Sequence, residues 1–502
     1  MNVQTGYIYL ADYLLFKFLY MSWTIIVTGC YLILLALVCL RIIFETHSTN
    51  KTLAYLLFCL FILVAGILFY LAFGINYWRK KQYGKKSVSD ARILELVIKN
   101  IEQYNQVCVD IKDPTVKQNA ELVSMLLRDL SSPLTADNKV KLLINGEEKF
   151  PEMLDAIRKA THHIHVEYYI YEYDQIGTQL VELLIEKSKE GVEVRFIYDD
   201  FGSPGIKRKT EKAMQDAGIE IHPFHKVHFY LLANRLNYRN HRKIVVIDGC
   251  TAFTGGINVS DRYINNGIHK LFWRDTHLRL DGPAVYYLQY LFISDWNFCC
   301  QKDFEPGVAY FPVMKATQQQ NSYVQLNASG PDSAQPSVLY TILQAIYLAK
   351  EEILITTPYF IPGDSIADAL RIAALSGLKV KLLVPGISDS KIVNAASKSN
   401  YSKLLSAGVE IYLYHKGFVH AKTLVTDSKL FIAGTANMDY RSFELNFEVN
   451  AVVYDTTLAK KMREVFFDDL LQATKIDKEE WLARKWYRQF PEKIARLFSP
   501  VL

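Results

Sequence analysis

The chain has 502 residues, with 57 Lys+Arg against 52 Asp+Glu, 50% hydrophobic residues and 7 Cys. That length exceeds one compact domain, the apolar fraction excludes a disordered chain, and cysteines without a C-x-x-C pair exclude a disulfide module or zinc knuckle and indicate reduced thiols. The surplus of five cations is accounted for by Arg79, Lys80, Lys81, Lys85 and Lys86, so the remainder is neutral and no broad nucleic-acid-binding surface is expected.

Two long runs near the N-terminus carry no charge: the residues between Lys17 and Arg41, and Thr52 to Trp78. Each holds enough apolar residues to cross a bilayer, which predicts a membrane hairpin over residues 1–86 with spans at about 22–44 and 52–75. A signal peptide fits the first run poorly, because Asp12 and Lys17 precede it, no small-residue cleavage site follows, and a second apolar run comes next. Asn76, Tyr77 and Trp78 read as interfacial residues, and by the positive-inside rule the five cations after them place the rest of the chain in the cytoplasm.

Residues 87–134 read as a helical linker, with Ile93, Leu96, Val97 and Ile101 at helical spacing. The pattern then changes to alternating strands and helices. Val140 to Ile144 is strand-like, Pro151 to Ala160 helical, Ile164 to Ile170 strand-like and Gly177 to Lys189 helical, and VEVRFIYDD follows Gly191. This alternation predicts an α/β layer, a mixed sheet flanked by helices. It also occurs twice. IHVEYYI, VEVRFIYDD and IEIHPF are echoed by ILITTPYFI, LKVKLLVP and VEIYLY, so the chain divides into two pseudo-symmetric halves, 135–315 and 316–502.

Each half carries one constellation at identical intervals: His241, Lys243, Asp248, Gly255 and Asn258, then His420, Lys422, Asp427, Gly434 and Asn437. In an extended strand, His and Lys two apart face the same side. Asp248-Gly249 signals a hairpin turn, and a hairpin centred between Gly249 and Cys250 would set Asn258 opposite His241, as the matching turn would set Asn437 opposite His420. Two imidazoles, two ammoniums and two amides converging without a metal suit a phosphodiester held by charge-assisted hydrogen bonds. Two histidines suit a two-step displacement, one attacking phosphorus and the other protonating the leaving alcohol. A nucleophilic imidazole needs its second nitrogen held, and Asp275 and Glu448 are the candidate holders. Asp248 and Asp427, at the strand ends, read as anchors more than catalysts. His162, His163 and His165 lie on one strand with no cysteine beside them and read as solvent and core positions, not metal ligands.

The doubled H-x-K-x(4)-D-x(6)-G-x(2)-N pattern resembles the phospholipase D superfamily. The strings RNHRKIVVIDGCTAFTGGINVSDRYI, WRDTHLRLDGPAV and KGFVHAKTLVTDSKLFIAGTANMDYRSFELNFEVNA, with the N-terminal hairpin, resemble the bacterial cardiolipin synthases over essentially the whole chain. The resemblance implies a multi-pass enzyme of the bacterial inner membrane with a cytoplasmic catalytic domain and no cofactor. It implies transfer of phosphatidyl from one phosphatidylglycerol to a histidine, loss of glycerol, and capture by the hydroxyl of a second phosphatidylglycerol. By that match His241, Lys243, Asp248, His420, Lys422 and Asp427 form the catalytic set, Lys243, Asn258, Lys422 and Asn437 bind phosphate, and Asp275 and Glu448 orient the histidines. One departure is Gly255-Gly256 in the first motif against Gly434-Thr435 in the second, where many relatives have Gly-Ser; the Thr435 hydroxyl is expected to donate to phosphate. Rival readings with the same residues are a phospholipase D hydrolase, transfer to another alcohol as in phosphatidylserine synthase, a nuclease, and a non-catalytic lipid-binding module.

Two further segments draw expectations. The first half carries sixteen residues, 225–240, before its His-x-Lys, against five in the second, and Phe229, Tyr230, Leu231 and Leu232 within them are expected to form a lip that dips into the bilayer. The C-terminal segment, with Trp481, Trp486, Tyr487 and Phe490 among Arg484, Lys485 and Arg488, is expected to dock as a helix on its own domain, the bilayer surface being the alternative.

Overall fold

The computed structural model describes residues 3–46, 49–73, 93–95, 97–99, 113–206, 208–224, 238–300, 304–314 and 322–499. The lip at 229–232, the aromatics at 76–78 and the five cations at 79–86 lie outside the described residues. The chain forms two compact units, an N-terminal one and a larger one that holds the described residues from 93 onward.

In the N-terminal unit one helix runs Val3–Glu45, and its Trp23–Glu45 stretch is long and apolar enough to cross a membrane, with a mean hydropathy of 2.5. The second apolar run differs from the single span expected. It breaks at Ile62 into helices Thr49–Phe61 and Leu63–Phe73. These fold back on each other, with the Tyr55 and Tyr70 rings 5.5 Å apart and those of Phe58 and Phe69 4.9 Å apart. Gly66 permits the reversal, because a Cβ there would stand 2.3 Å from the Phe58 carbonyl oxygen. Val38 and Ile42 of the long helix pack with Cys59, Ile67 and Tyr70.

The larger unit is built on a sheet of 15 strands. The first half supplies β1 (Thr135–Ile144), β2 (His163–Tyr168), β3 (Glu193–Asp199), β4 (Glu220–Phe224), β5 (Ile244–Ile247), β6 (Thr251–Gly255) and β8 (Thr276–Asp281), with β7 (Phe272–Arg274) outside the main sheet. The second half supplies β9 (Ser322–Ser329), β10 (Glu352–Thr356), β12 (Lys379–Pro385), β13 (Glu410–Tyr414), β15 (Thr423–Thr426), β16 (Leu430–Gly434), β18 (Glu448–Tyr454) and β19 (Ala473–Lys475). Its short strands β11 (Phe360–Ile361), β14 (Gly417–Val419) and β17 (Met438–Asp439) form separate pairs. The order is β19-β13-β12-β10-β15-β16-β18-β9-β1-β8-β6-β5-β2-β3-β4. β2, β3 and β4 are parallel, as are β10, β12 and β13, and the strands between these groups are antiparallel.

The helices that cover the sheet start where local chemistry lets them. Asp174 caps Gln175–Lys189 by accepting from the Gly177 amide, and Asp455 caps Thr456–Leu470 by accepting from that of Leu458. One apolar core runs through both halves, joining Leu278 and Leu280 to Leu326, Val449 and Ala451 under helices Val285–Cys299 and Thr456–Leu470. Two other cores serve one half each. The linker is part of this packing: Leu122 and Leu126 of helix Ala120–Leu130 are buried in the second-half core, and Ile93 and Val97 in the shared one. His163 and His165 are fully buried on β2, bridged by Gln289 through His163 Nε2 (3.2 Å) and His165 Nδ1 (2.8 Å).

The C-terminal helix, Trp486–Arg496, docks on the domain as expected. Ala495 packs with Ile361 and Ala396 and Glu492 is buried, while Trp486, Phe490 and Ile494 stay exposed on the other side.

Candidate active site

The two His-x-Lys segments sit just before β5 and β15, where the ladders have not begun, so their backbone groups need other partners. They find them across the halves. The His241 amide donates to the Phe447 carbonyl at 3.0 Å, and the His420 amide donates to the Arg274 carbonyl at 2.7 Å. The residue after each of those carbonyls is the carboxylate that holds the same histidine. His241 Nδ1 lies 2.9 Å from both Glu448 oxygens, and His420 Nδ1 lies 2.6 Å from Asp275 Oδ2. Each histidine is therefore fixed, through backbone and side chain, by the opposite half.

A carboxylate only accepts, so Nδ1 carries the proton and Nε2 of each ring keeps its lone pair. Both histidines are 8% exposed, while Glu448 and Asp275 are fully buried. Burial, which the carboxylates only partly offset, pushes His241 down to about 4 and His420 to about 3, so both rings are neutral at pH 7. Burial acts to raise Glu448, but His241, Lys243 and the Thr435 hydroxyl outweigh it and hold the carboxyl at about 2. Asp275 is lowered likewise, burial being overcome by Lys422 and His420.

The lysines obey one rule in both halves: Lys243 Nζ donates to the His241 carbonyl at 2.7 Å, and Lys422 Nζ donates to that of His420. Burial is the main cause that lowers Lys243 to about 7 and Lys422 to about 8. Lys422 also depresses Lys243, so the two motifs converge on one patch with two cationic groups in need of an anion.

The asparagines are less alike. Asn258 is engaged, taking the Ile170 amide at 3.2 Å and donating to the Tyr263 hydroxyl at 2.8 Å. Asn437 Oδ1 is buried with no hydrogen-bond partner within the protein. The register explains why the amides do not oppose the histidines as expected. Ile247 pairs with Thr251 and Thr426 with Leu430, so each hairpin has a three-residue loop and the pairing shifts by one. Asp248 and Asp427 open these loops in the left-handed region, at φ 50° and 53°. Their carboxylates take the amides of His162 and His163, and of Lys350, Glu351 and Glu352, which ties each hairpin tip to the start of β2 or β10.

The glycine-threonine difference also resolves otherwise than expected. Thr435 Oγ1 donates to Glu448 Oε2, not toward the open face, and Asn446 adds a 3.2 Å bond to Oε1. At the matching place a Cβ on Gly256 would stand 2.1 Å from Asp275 Oδ1, so the shorter carboxylate occupies the space a side chain would fill. Tyr169 and Arg239 went unnoticed in the sequence. The Tyr169 ring meets His241 edge-on at 4.9 Å, and Arg239 stands two residues before His241, a same-face spacing that was available as a signal.

Comparison with known proteins identifies the family. The family described as "Cardiolipin synthase, PLD-like domain" matches residues 153–274 and 342–470. The chain is 40% identical to the major cardiolipin synthase ClsA of Bacillus subtilis (strain 168), over 96% of this chain and 100% of that one. It is 39% identical to the cardiolipin synthase of Geobacillus kaustophilus (strain HTA426), over 95% and 93%. Among solved structures, phosphatidylserine synthase of Haemophilus influenzae Rd KW20 shares the fold, with a TM-score of 0.58 at 12% identity over 76% of this chain and 100% of that one. The chain belongs to the cardiolipin synthase family of phospholipase D-like proteins.

Proposed function

We propose that the protein is a membrane-bound phosphatidyltransferase that makes cardiolipin and glycerol from two phosphatidylglycerol molecules through a phosphohistidine. The observation that carries this reading is the pair of crossed histidine–carboxylate dyads facing two buried lysines. His241, Lys243, His420 and Lys422 are the catalytic groups, Asp275 and Glu448 position the histidines, and Asp248 and Asp427 anchor the hairpins. Asn437 and the lysines hold the phosphate, with Asn258 acting through Tyr263.

The anionic phosphodiester offsets the lysine charges and raises the imidazoles toward protonation. Nε2 of one histidine attacks phosphorus, forming a P–N bond while the P–O bond to glycerol breaks, and the other imidazolium protonates the departing oxygen. The hydroxyl of a second phosphatidylglycerol then gives its proton to that imidazole and attacks phosphorus, and the P–N bond breaks. The two histidines are treated as exchangeable. The strand order reads alike outward from the β9–β1 junction, which supports two pseudo-symmetric halves.

The test is product analysis in phosphatidylglycerol vesicles with the wild type, His241→Ala and His420→Ala. Cardiolipin with stoichiometric glycerol, lost in both variants, is expected. Phosphatidic acid alone would make the protein a hydrolase and sink the transferase reading.

The apolar Trp23–Glu45 stretch anchors the protein in the membrane, the cations at 79–86 place its catalytic unit in the cytoplasm, and exposed Trp486, Phe490 and Ile494 suit contact with the lipid surface. A phosphatase reporter fused after residue 90 is expected to stay inactive, since its activity requires export. An active fusion there would reverse the orientation.

A further inference from the structure

The two dyads do not have equivalent surroundings. His420 stands among aromatic rings, with Trp273 at 5.5 Å, Phe418 at 5.8 Å and Tyr263 at 5.9 Å. His241 meets Tyr169 instead, and where the second half has Phe418, two residues before its histidine, the first half has Arg239. Arg239 is 2% exposed, and its two terminal nitrogens have no hydrogen-bond partner within the protein.

Asp199 is its nearest acid, and that acid is already committed. Asp199 Oδ1 takes the amides of Phe201 (3.1 Å) and Gly202 (2.8 Å), and Oδ2 takes that of Asn240 (3.2 Å). Arg239 Nη1 stops 3.8 Å from Oδ1, beyond a charge-assisted hydrogen bond. The guanidinium lies 4.4 Å under the ring of Phe201, which is 51% exposed and covers it from solvent. A second cation stands nearby: Arg441, on the one-turn helix Tyr440–Glu444, acts on the Tyr169 hydroxyl together with Arg239. Tyr169 therefore has His241 at its ring and lies within the electrostatic reach of both guanidinium groups.

A buried guanidinium with its planar fork unused is a receptor for an oxyanion of phosphate geometry. The histidines, lysines and Asn437 already suit the phosphorus under attack. Joining two phospholipids requires a second phosphodiester beside the first, and hydrolysis does not. We propose that Arg239, with Arg441, forms a second anion subsite that takes the phosphodiester of the acceptor phosphatidylglycerol and sets its terminal hydroxyl toward the phosphohistidine. This rests on the transferase reading above and adds to it the element that favours a lipid acceptor over water. Phe201 is the cap that the incoming headgroup displaces.

The test separates the acceptor from the donor. Full-length protein in phosphatidylglycerol vesicles with labelled free glycerol makes two products: labelled phosphatidylglycerol, by transfer to a neutral acceptor, and cardiolipin, by transfer to an anionic one. Arg239→Gln is expected to lower the ratio of cardiolipin formed to glycerol exchanged by about 10- to 100-fold, the loss of hydrogen bonds to a charged group, with Arg239→Lys between it and wild type. Arg441→Gln is expected to move the ratio the same way, and decides the matter if Arg239→Gln does not fold. An unchanged ratio in folded variants, whether both products fall together or neither falls, overturns the subsite. A wild type that exchanges glycerol but makes no cardiolipin overturns the cardiolipin-forming reading itself, and because it is read on the unsubstituted protein it is distinct from any loss confined to the arginine variants.

Discussion

At the scale of single residues, the site depends on pairs that are distant in sequence. Glu448 lies 207 residues from the histidine it holds, and Asp275 lies 145 from its own. A double-mutant cycle reads this crossing directly: His241 is expected to couple to Glu448 and His420 to Asp275, with the uncrossed pairs adding independently. Glu448→Gln and Asp275→Asn are each expected to lower kcat by about 10²- to 10⁴-fold, because an amide no longer enforces the Nδ1–H tautomer. Stronger coupling of His241 to Asp275 would show that the crossing is not the working arrangement. The lysines make a separate prediction. With Lys243 at about 7 and Lys422 at about 8, kcat/KM should fall as pH rises through that range, since it reports free-enzyme groups and the ammonium forms bind phosphate. Bound phosphodiester raises both values, so kcat at saturating lipid should hold to higher pH. A kcat limb that coincides with the kcat/KM limb would count against the lysines as phosphate ligands.

At the scale of elements, the doubled motif is a hairpin whose tip is tied down by its aspartate. Asp248 accepts three backbone amides, from Thr161, His162 and His163, and Asp427 accepts three more. Hydrogen bonds to a charged group contribute about 1.5–3 kcal/mol each, and the left-handed start of each loop suits Asp better than most residues. Asp248→Ala and Asp427→Ala are expected to lower Tm by about 5 °C or more while leaving the dyad distances intact. Calorimetry beside a single-turnover assay checks this, and activity lost at unchanged Tm would make these aspartates chemical and not structural. The spacing His, Lys, Asp, Gly, Asn was fully legible, and so were the strands around it. The loop length was not, because Asp-Gly also signals a two-residue turn, and a register slip of one residue decides which side chain stands opposite which.

At the scale of the whole molecule, the sheet runs unbroken through both halves by the β1–β9 pairing, and one apolar core spans them. The alternation of strand and helix patterns in the sequence carried the mixed α/β sheet, and the apolar run expected at about 22–44 falls in a helix long and apolar enough to cross a membrane. These are consequences of local periodicity and residue type, which a sequence carries openly. Other features were settled only by tertiary packing. The second apolar run folds back at Ile62 because Gly66 lets helix backbones touch, a choice that hydropathy does not register. Thr435 serves Glu448 instead of the open face, Asn258 serves Tyr263, and the two terminal nitrogens of Arg239 lie buried without a hydrogen-bond partner within the protein. The amino-acid sequence by itself singled out the histidines, lysines and carboxylates that the dyads are built from. Only the tertiary structure decided which half holds which histidine, because that depends on contacts across more than a hundred residues.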